Sequence, residues 1–248
     1  MLLEGKIAVV YGGAGAMGSS VARAFARERA HVFLAGRTRE KLDEVAAAIR
    51  STGGIAETAA VDAMDRSAVD AHANEVVEAA GRLDVSFNAI SYPVVHGQPL
   101  VEMSLEDFMA PIIGACQTHF ITTTAAARQM TKQGAGVIVM LSSTAALEWR
   151  HQSGGFTVAC AGIERLTRSL AAELGRHGIR VVGLRPNFTP ETSPGVTEED
   201  ISQHLHEVLL GRLPRLPEVA DSAVYAASDA AGAMTGAVLN LSCGAVFG

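Results

Sequence analysis

An apolar run, Ile7–Tyr11, passes directly into Gly12-Gly13-Ala14-Gly15-Ala16-Met17-Gly18 and then into a helical stretch, Ser19–Arg29. A strand that breaks on glycines into a helix commits the chain to a βα unit, and the next strand must return parallel to the first. In a chain with 25 glycines, a lone G-x-G-x-x-G (here Gly13, Gly15, Gly18) says little. Placed between a first strand and a first helix, it is specific. Glycines there permit positive φ and let the backbone approach a pyrophosphate at the helix N-terminus, where amide donors and the dipole favour an anion. A purely structural glycine-rich turn is the alternative.

The alternation then runs to the end of the chain. Short apolar or β-branched stretches at Ile7–Tyr11, His31–Ala35, Ile55–Ala60, Asp84–Asn88, Val137–Leu141, Arg180–Leu184 and Val238–Leu241 read as seven strands. Residues at helical spacing lie between them, such as Val21, Ala22, Phe25 and Ala26, then Leu42, Val45, Ala46 and Ile49. Ala71–Ala80 and Ile163–Leu174 give two more helices, and longer ones are expected at about Leu105–Thr131 and Phe156–Arg176. Near-continuous apolar strands separated by helices predict a parallel sheet covered on both faces. The fold class is therefore α/β: a single doubly wound, Rossmann-type domain over residues 1–248, with a seven-stranded parallel sheet flanked by helices. The least regular segment, 186–216, carries Pro186, Pro190, Pro194 and Pro214 around a helix-like Glu198–Leu210. Long loops at strand carboxyl ends often carry function, so this segment is a candidate substrate lid.

Composition excludes several classes. With 20 Lys+Arg against 26 Asp+Glu, the net charge of −6 disfavours a nucleic-acid partner. The longest apolar runs are strand-length, so no membrane span is expected. The first residues enter a strand without a signal peptide's layout, which predicts a soluble, cytoplasmic protein. Cys116, Cys160 and Cys243 are too widely spaced for a disulfide framework or a zinc site, and are expected to be buried apolar fillers with no metal bound.

The second strand ends Leu34-Ala35-Gly36-Arg37. A site for NAD usually places Asp or Glu here, to bind the ribose 2′-OH. A guanidinium instead suits a 2′-phosphate, because it is planar, charged and bidentate. Arg37, with Arg39 and Lys41 behind it, predicts NADP(H) in preference to NAD(H); a solvated arginine at a helix start is the alternative.

Lys6–Gly18, Val61-Asp62, Phe87-Asn88-Ala89, Val137–Ser143, Leu166–Ile179 and Thr235–Leu239 together resemble the short-chain dehydrogenase/reductase family over essentially the whole chain. The resemblance implies cofactor contacts from Gly12, Gly13, Gly15, Met17 and Gly18, from Arg37, Asp62, Ala63, Asn88 and Ala89, and from Pro186 and Thr192. It also implies a homotetramer or homodimer built on the two long helices and the apolar tail Cys243–Gly248. The family's chemistry rests on Asn, Ser, Tyr and Lys. Ser143 matches the serine, but Phe156 stands at the tyrosine position, Cys160 at the lysine position and Ala115 at the asparagine position. Ala16, Ile90 and Asn187 replace three of the family's glycines.

These departures have chemical content. Phe156 has no O–H to donate, Cys160 offers no fixed cation, and Ala115 cannot anchor a relay water. A positioned general acid is worth about 10²–10⁴-fold in rate, so the ordinary ketone/alcohol mechanism cannot run on these residues. Ser143 can still bind a carbonyl. Of the loop residues Tyr92, His96 and Glu148-Trp149-Arg150-His151-Gln152, Tyr92 and His151 are the candidate replacement acids. His119 reads as a core or interface residue. Three activities remain in view: an oxidoreductase passing hydride to an activated C=C or imine, a catalytically silent NADP(H)-binding or structural subunit, and a non-redox enzyme on the same fold.

Overall fold

The computed structural model describes residues 1–248 and shows one sheet of seven parallel strands. The strands are β1 (Ile7–Tyr11), β2 (His31–Gly36), β3 (Ile55–Ala60), β4 (Val85–Asn88), β5 (Gly136–Leu141), β6 (Ile179–Pro186) and β7 (Val238–Leu241), in the order β3-β2-β1-β4-β5-β6-β7. The helices are α1 (Ala16–Arg27), α2 (Arg39–Ser51), α3 (Arg66–Ala80), α4 (Leu105–Gln133), α5 (Gly155–Leu174), α6 (Glu198–Leu205) and α7 (Leu216–Ala227). No helix is long and apolar enough to cross a membrane.

The strand sequences explain the two-sided core. Successive side chains point to opposite faces, so a strand buried on both must be apolar throughout. In β1, Ala8 and Val10 join a layer with α1, α2 and α7, while Ile7, Val9 and Tyr11 join one with α3, α4 and α5. β5 divides the same way, Val137 and Val139 against Ile138 and Met140. The strand order reverses direction between β1 and β4, which opens a crevice at their carboxyl ends.

The elements differ from expectation at their ends and at α7, a helix over Leu216–Ala227 that the sequence reading does not anticipate. Asp84 lies just before β4, where its carboxylate accepts the Ile7 N–H at 2.8 Å and is gripped by Arg82. The helix expected over Glu198–Leu210 ends at Leu205; its start is fixed by a capping box between Thr197 and Asp200, but beyond His206 the chain turns toward Gly211 at φ +64°. Leu209 and Leu210 remain exposed there, while Val208 and Leu213 form a small apolar cluster with Ala245, apart from the two main layers. Of the three cysteines only Cys160 is fully buried. Cys116 and Cys243 are partly exposed, Cys116 because it faces Gly162, whose missing side chain leaves the α4–α5 contact open.

Candidate active site

The glycine turn is shaped by two positions. Gly12 has φ +76°, and a Cβ there would lie 2.5 Å from the Ala89 carbonyl oxygen. A Cβ on Gly18 would lie 2.2 Å from the Gly12 oxygen. Both distances are far inside van der Waals contact, so the turn, the start of α1 and the end of β4 close up only with glycine at both. Gly13 is nearly as confined by Leu34, whereas Gly15 has room and serves as the N-cap of α1. Gly12 and Gly13 donate to the Ala35 carbonyl at 2.8 and 3.2 Å, and Gly15 donates to Gly12 at 3.0 Å. Neither a capping side chain nor an acidic residue occupies the first turn of α1. Its leading amides are thus left to face an anion, and the cradle fits a dinucleotide pyrophosphate. Met17 anchors that turn on the α1/α2/α7 layer.

The other residues expected to contact a cofactor lie at the carboxyl edge of the sheet. Arg37 is exposed and makes no ion pair, while neighbouring Arg39 reaches Asp43 at 3.6 Å. Asp62 is exposed after β3 and accepts the Met64 N–H at 3.0 Å; Ala63 beside it is buried. Asn88 is buried at the end of β4, donating to the Thr122 hydroxyl at 2.9 Å and accepting the Ile90 N–H at 2.9 Å. Ile90, where the family has glycine, packs on the α3/α4/α5 layer. Pro186 closes β6, and the Thr192 hydroxyl donates to the Thr189 carbonyl in the turn that follows. Asn187, also at a family glycine, is buried: its carboxamide oxygen accepts the Thr144 hydroxyl at 3.1 Å and the Phe188 N–H at 2.7 Å. That substitution stitches the end of β6 to the turn after β5.

The expected catalytic positions lie between β5 and α5. Ser143 precedes a 3₁₀ turn, Thr144–Ala146, and its hydroxyl accepts the Ala145 N–H at 3.3 Å. Phe156, in the first turn of α5, is flanked by two rings from the loop after β4: Tyr92, with centroids 6.3 Å apart, and His96, edge-on at 5.8 Å. Burial, with the Cys160 and Cys116 thiols nearby, raises the Tyr92 phenol above its ordinary range, so it stays protonated. His96 bonds Ser153 at 3.2 Å, and burial lowers its pKa. Cys160 is 1% exposed, and burial pushes its thiol up to about 12. It therefore supplies no charge beside Phe156. Beneath it, Ser142 donates to the Cys160 carbonyl and to Glu164, which makes a fully buried two-pronged pair with Arg185 at 2.6 Å.

Ala115 is fully buried in α4, one turn before His119, whose Nδ1 lies 3.0 Å from the Ala115 carbonyl. His119 sits inside the protein, where burial lowers its pKa to about 4. His151 takes part in a different group. Its Nε2 is 3.0 Å from Glu207 and 4.0 Å from Glu148, and its ring stacks on His204 at 4.4 Å. Glu207 and His204 come from the 187–215 segment, which nothing in the local sequence ties to His151. Beside this group a cavity of about 420 Å³ is walled by Gln98, Leu100, Ala145, Glu148, Trp149 and His151. A smaller hollow of about 140 Å³ lies at the opposite, amino edge of the sheet, where Lys6–Asp229 and Arg82–Asp84 already pair their charges.

A family model described as Enoyl-(Acyl carrier protein) reductase matches residues 12–245. Among curated proteins, the chain is 29% identical over 249 residues to a 7alpha-hydroxysteroid dehydrogenase of Clostridium sardiniense, covering 99% of this chain and 95% of that protein. It is 32% identical over 244 residues to a cis-4-hydroxycyclohexanecarboxylate dehydrogenase of Sinomonas cyclohexanicum, covering 94% of each. Among solved structures, a short-chain type dehydrogenase/reductase from Mycobacterium marinum superposes with a TM-score of 0.88 at 28% identity, covering 99% of this chain and 97% of that one.

Proposed function

Because this chain belongs to the short-chain dehydrogenase/reductase family, whose curated members here are oxidoreductases, we propose that it is an NADP(H)-dependent reductase of activated C=C or imine groups. The observation that carries this reading is the approach of the Tyr92 ring to Phe156, tilted with centroids 6.3 Å apart, which brings a protonated phenol beside the position where the family keeps its acid. Gly12, Gly13, Gly15, Met17 and Gly18 would hold the pyrophosphate, and Asp62, Ala63, Asn88, Ala89, Pro186 and Thr192 would border the remainder. Arg37, exposed and without an ion pair, would take the 2′-phosphate. A reduced nicotinamide bound there supplies hydride.

The chain's own groups then divide the remaining work. Ser143 orients the acceptor through its hydroxyl. Tyr92 Oη delivers the proton to a strongly basic carbon or nitrogen. A phenol whose pKa burial has raised stays protonated at neutral pH and is available to donate to such a site. No cation stands at residue 160 to lower that pKa. The family-model description, an enoyl reductase, agrees with a C=C acceptor. His151 is engaged by Glu207, which leaves the proton to Tyr92, and the same contact would tie a lid over 186–216 to the β5–α5 loop.

The test is reductant consumption with enone and imine panels. Tyr92→Phe is expected to lower turnover by about 10²-fold with cofactor affinity unchanged. Arg37→Asp is expected to remove or reverse a preference for NADPH over NADH. Equal affinity of the unmutated protein for the two cofactors overturns the NADP(H) assignment. A second reading, a silent NADP(H)-binding protein, is favoured by the uncharged Cys160; binding without turnover of any acceptor would select it.

A further inference from the structure

Glu148, His151 and Glu207 present one carboxylate oxygen, one imidazole nitrogen and a second carboxylate oxygen, all within 4.8 Å of one another. Glu148 and His151 come from the loop after the Thr144–Ala146 turn, and Glu207 from the far side of α6. The Glu148 side chain is only 8% exposed, and its Oε1 is buried with no hydrogen-bond partner. A buried, unpartnered carboxylate oxygen carries a desolvation cost that a cation would offset. Glu148 Oε2 is 4.0 Å from His151 Nε2, which is itself 3.0 Å from Glu207 Oε2. Ligand atoms around a tetrahedral zinc ion, with bonds of about 2.0–2.1 Å, stand about 3.3 Å apart, so these separations bracket the requirement.

The surroundings hold the set in place. The Glu148 N–H bonds the Thr144 carbonyl at 2.9 Å, and the His151 ring lies nearly parallel to that of His204, which also stacks on Phe188. The one competing cation is Arg150, whose Nη1 is 3.4 Å from Glu207 Oε2. Its side chain is 30% exposed and rests over Trp149. A bound ion would displace that guanidinium from Glu207, leaving two carboxylates around the imidazole. Glu148 and His151 also wall the cavity of about 420 Å³, which leaves room for a water at a fourth position.

We infer that Glu148, His151 and Glu207 form a zinc-type divalent-cation site that ties the β5–α5 loop to the segment following α6. The site stands independently of the redox reading, since none of its three residues is needed for cofactor or proton delivery there. It is tested on the full chain, stripped with chelator and dialysed, by calorimetric titration with zinc chloride. One ion per chain with micromolar or tighter affinity is expected, together with slower proteolysis within residues 187–215. His151→Ala, and separately Glu207→Gln, should each weaken binding by about 100-fold or more. His177→Ala, on an exposed turn, should leave it unchanged. Magnesium should bind at least about 100-fold more weakly, because a hard cation gains little from imidazole. Affinity no better than millimolar, or zinc binding that survives both Glu207→Gln and His151→Ala, overturns the assignment.

Discussion

Lowering the pH from 7 to 5 should destabilise this protein through two histidines that its core keeps neutral. His72 and His119 are 3% and 2% exposed, each has a buried Nε2 without a partner, and burial lowers each pKa from 6.5 to about 4. In the unfolded chain they take up protons near pH 6.5, while in the folded one they resist until about pH 4. The unfolded state therefore binds more protons throughout that interval, and stability falls as pH falls through it. Shifts of this size cost about 2 kcal/mol per histidine at pH 5, or about 4 kcal/mol together, and nearly nothing at pH 7. Glu218, held at about 2 by Arg212, adds its own loss of stability mainly below its ordinary 4.5. Urea unfolding followed by far-UV circular dichroism is the assay, because the one tryptophan, Trp149, is already 85% exposed and would report little. The midpoint should drop by about 1.5 M between pH 7 and pH 5, given a slope of about 2.5–3 kcal/mol/M. His72→Gln with His119→Gln should flatten the dependence. A wild type equally stable at both pH values, or a double variant that keeps the whole drop, would show that these rings are not the cause.

Gly18→Ala should abolish tight cofactor binding, by about 100-fold or more in titration, because its Cβ would sit 2.2 Å from the Gly12 oxygen that shapes the phosphate cradle. Glu164→Gln should cost about 3–5 kcal/mol of unfolding free energy by leaving the Arg185 guanidinium buried without its charge partner, whereas Glu164→Leu with Arg185→Met should recover much of the loss. Phe156→Tyr with Cys160→Lys should produce weak ketone reductase activity, and either change alone much less, since acid and cation act as a unit. Absence of any ketone turnover in a folded, cofactor-binding double variant would mean that the divergence at Ala115, Ile90 and Asn187 reshaped the pocket as well.

The sheet and the glycine turn are legible in the sequence because both rest on local pattern. Two-sided apolar strands announce themselves over five residues, and the glycines at 12 and 18 stand where a Cβ would meet backbone at 2.5 and 2.2 Å. The proton-handling side was less accessible. Tyr92 and His96 are legible only as loop residues, because their contacts with Phe156, one tilted and one edge-on, depend on the path of the long connection between β4 and α4, which has no periodicity to read. His151 was singled out for its chemistry alone. Its partner Glu207 lies 56 residues away on a segment whose helix ends earlier than its polar spacing suggests, and no short-range signal joins the two. Asn187 looked like a lost glycine; only the fold shows that its carboxamide takes up the Thr144 hydroxyl.

The reversal of strand order between β1 and β4 has a consequence in time as well as in space. β1 can pair with β2 as soon as the first helix has formed, but its other edge must wait for β4, and the Ile7 amide waits for Asp84, 77 residues downstream. At a synthesis rate of about 5–20 residues per second, that edge stays open for about 4–15 s on the ribosome. During that interval Ile7, Val9 and Tyr11 lack α4 and α5, which later help to cover them. Until β4 emerges, β1 is thus an edge strand of the β3-β2-β1 half, with an unpaired edge open to aggregation.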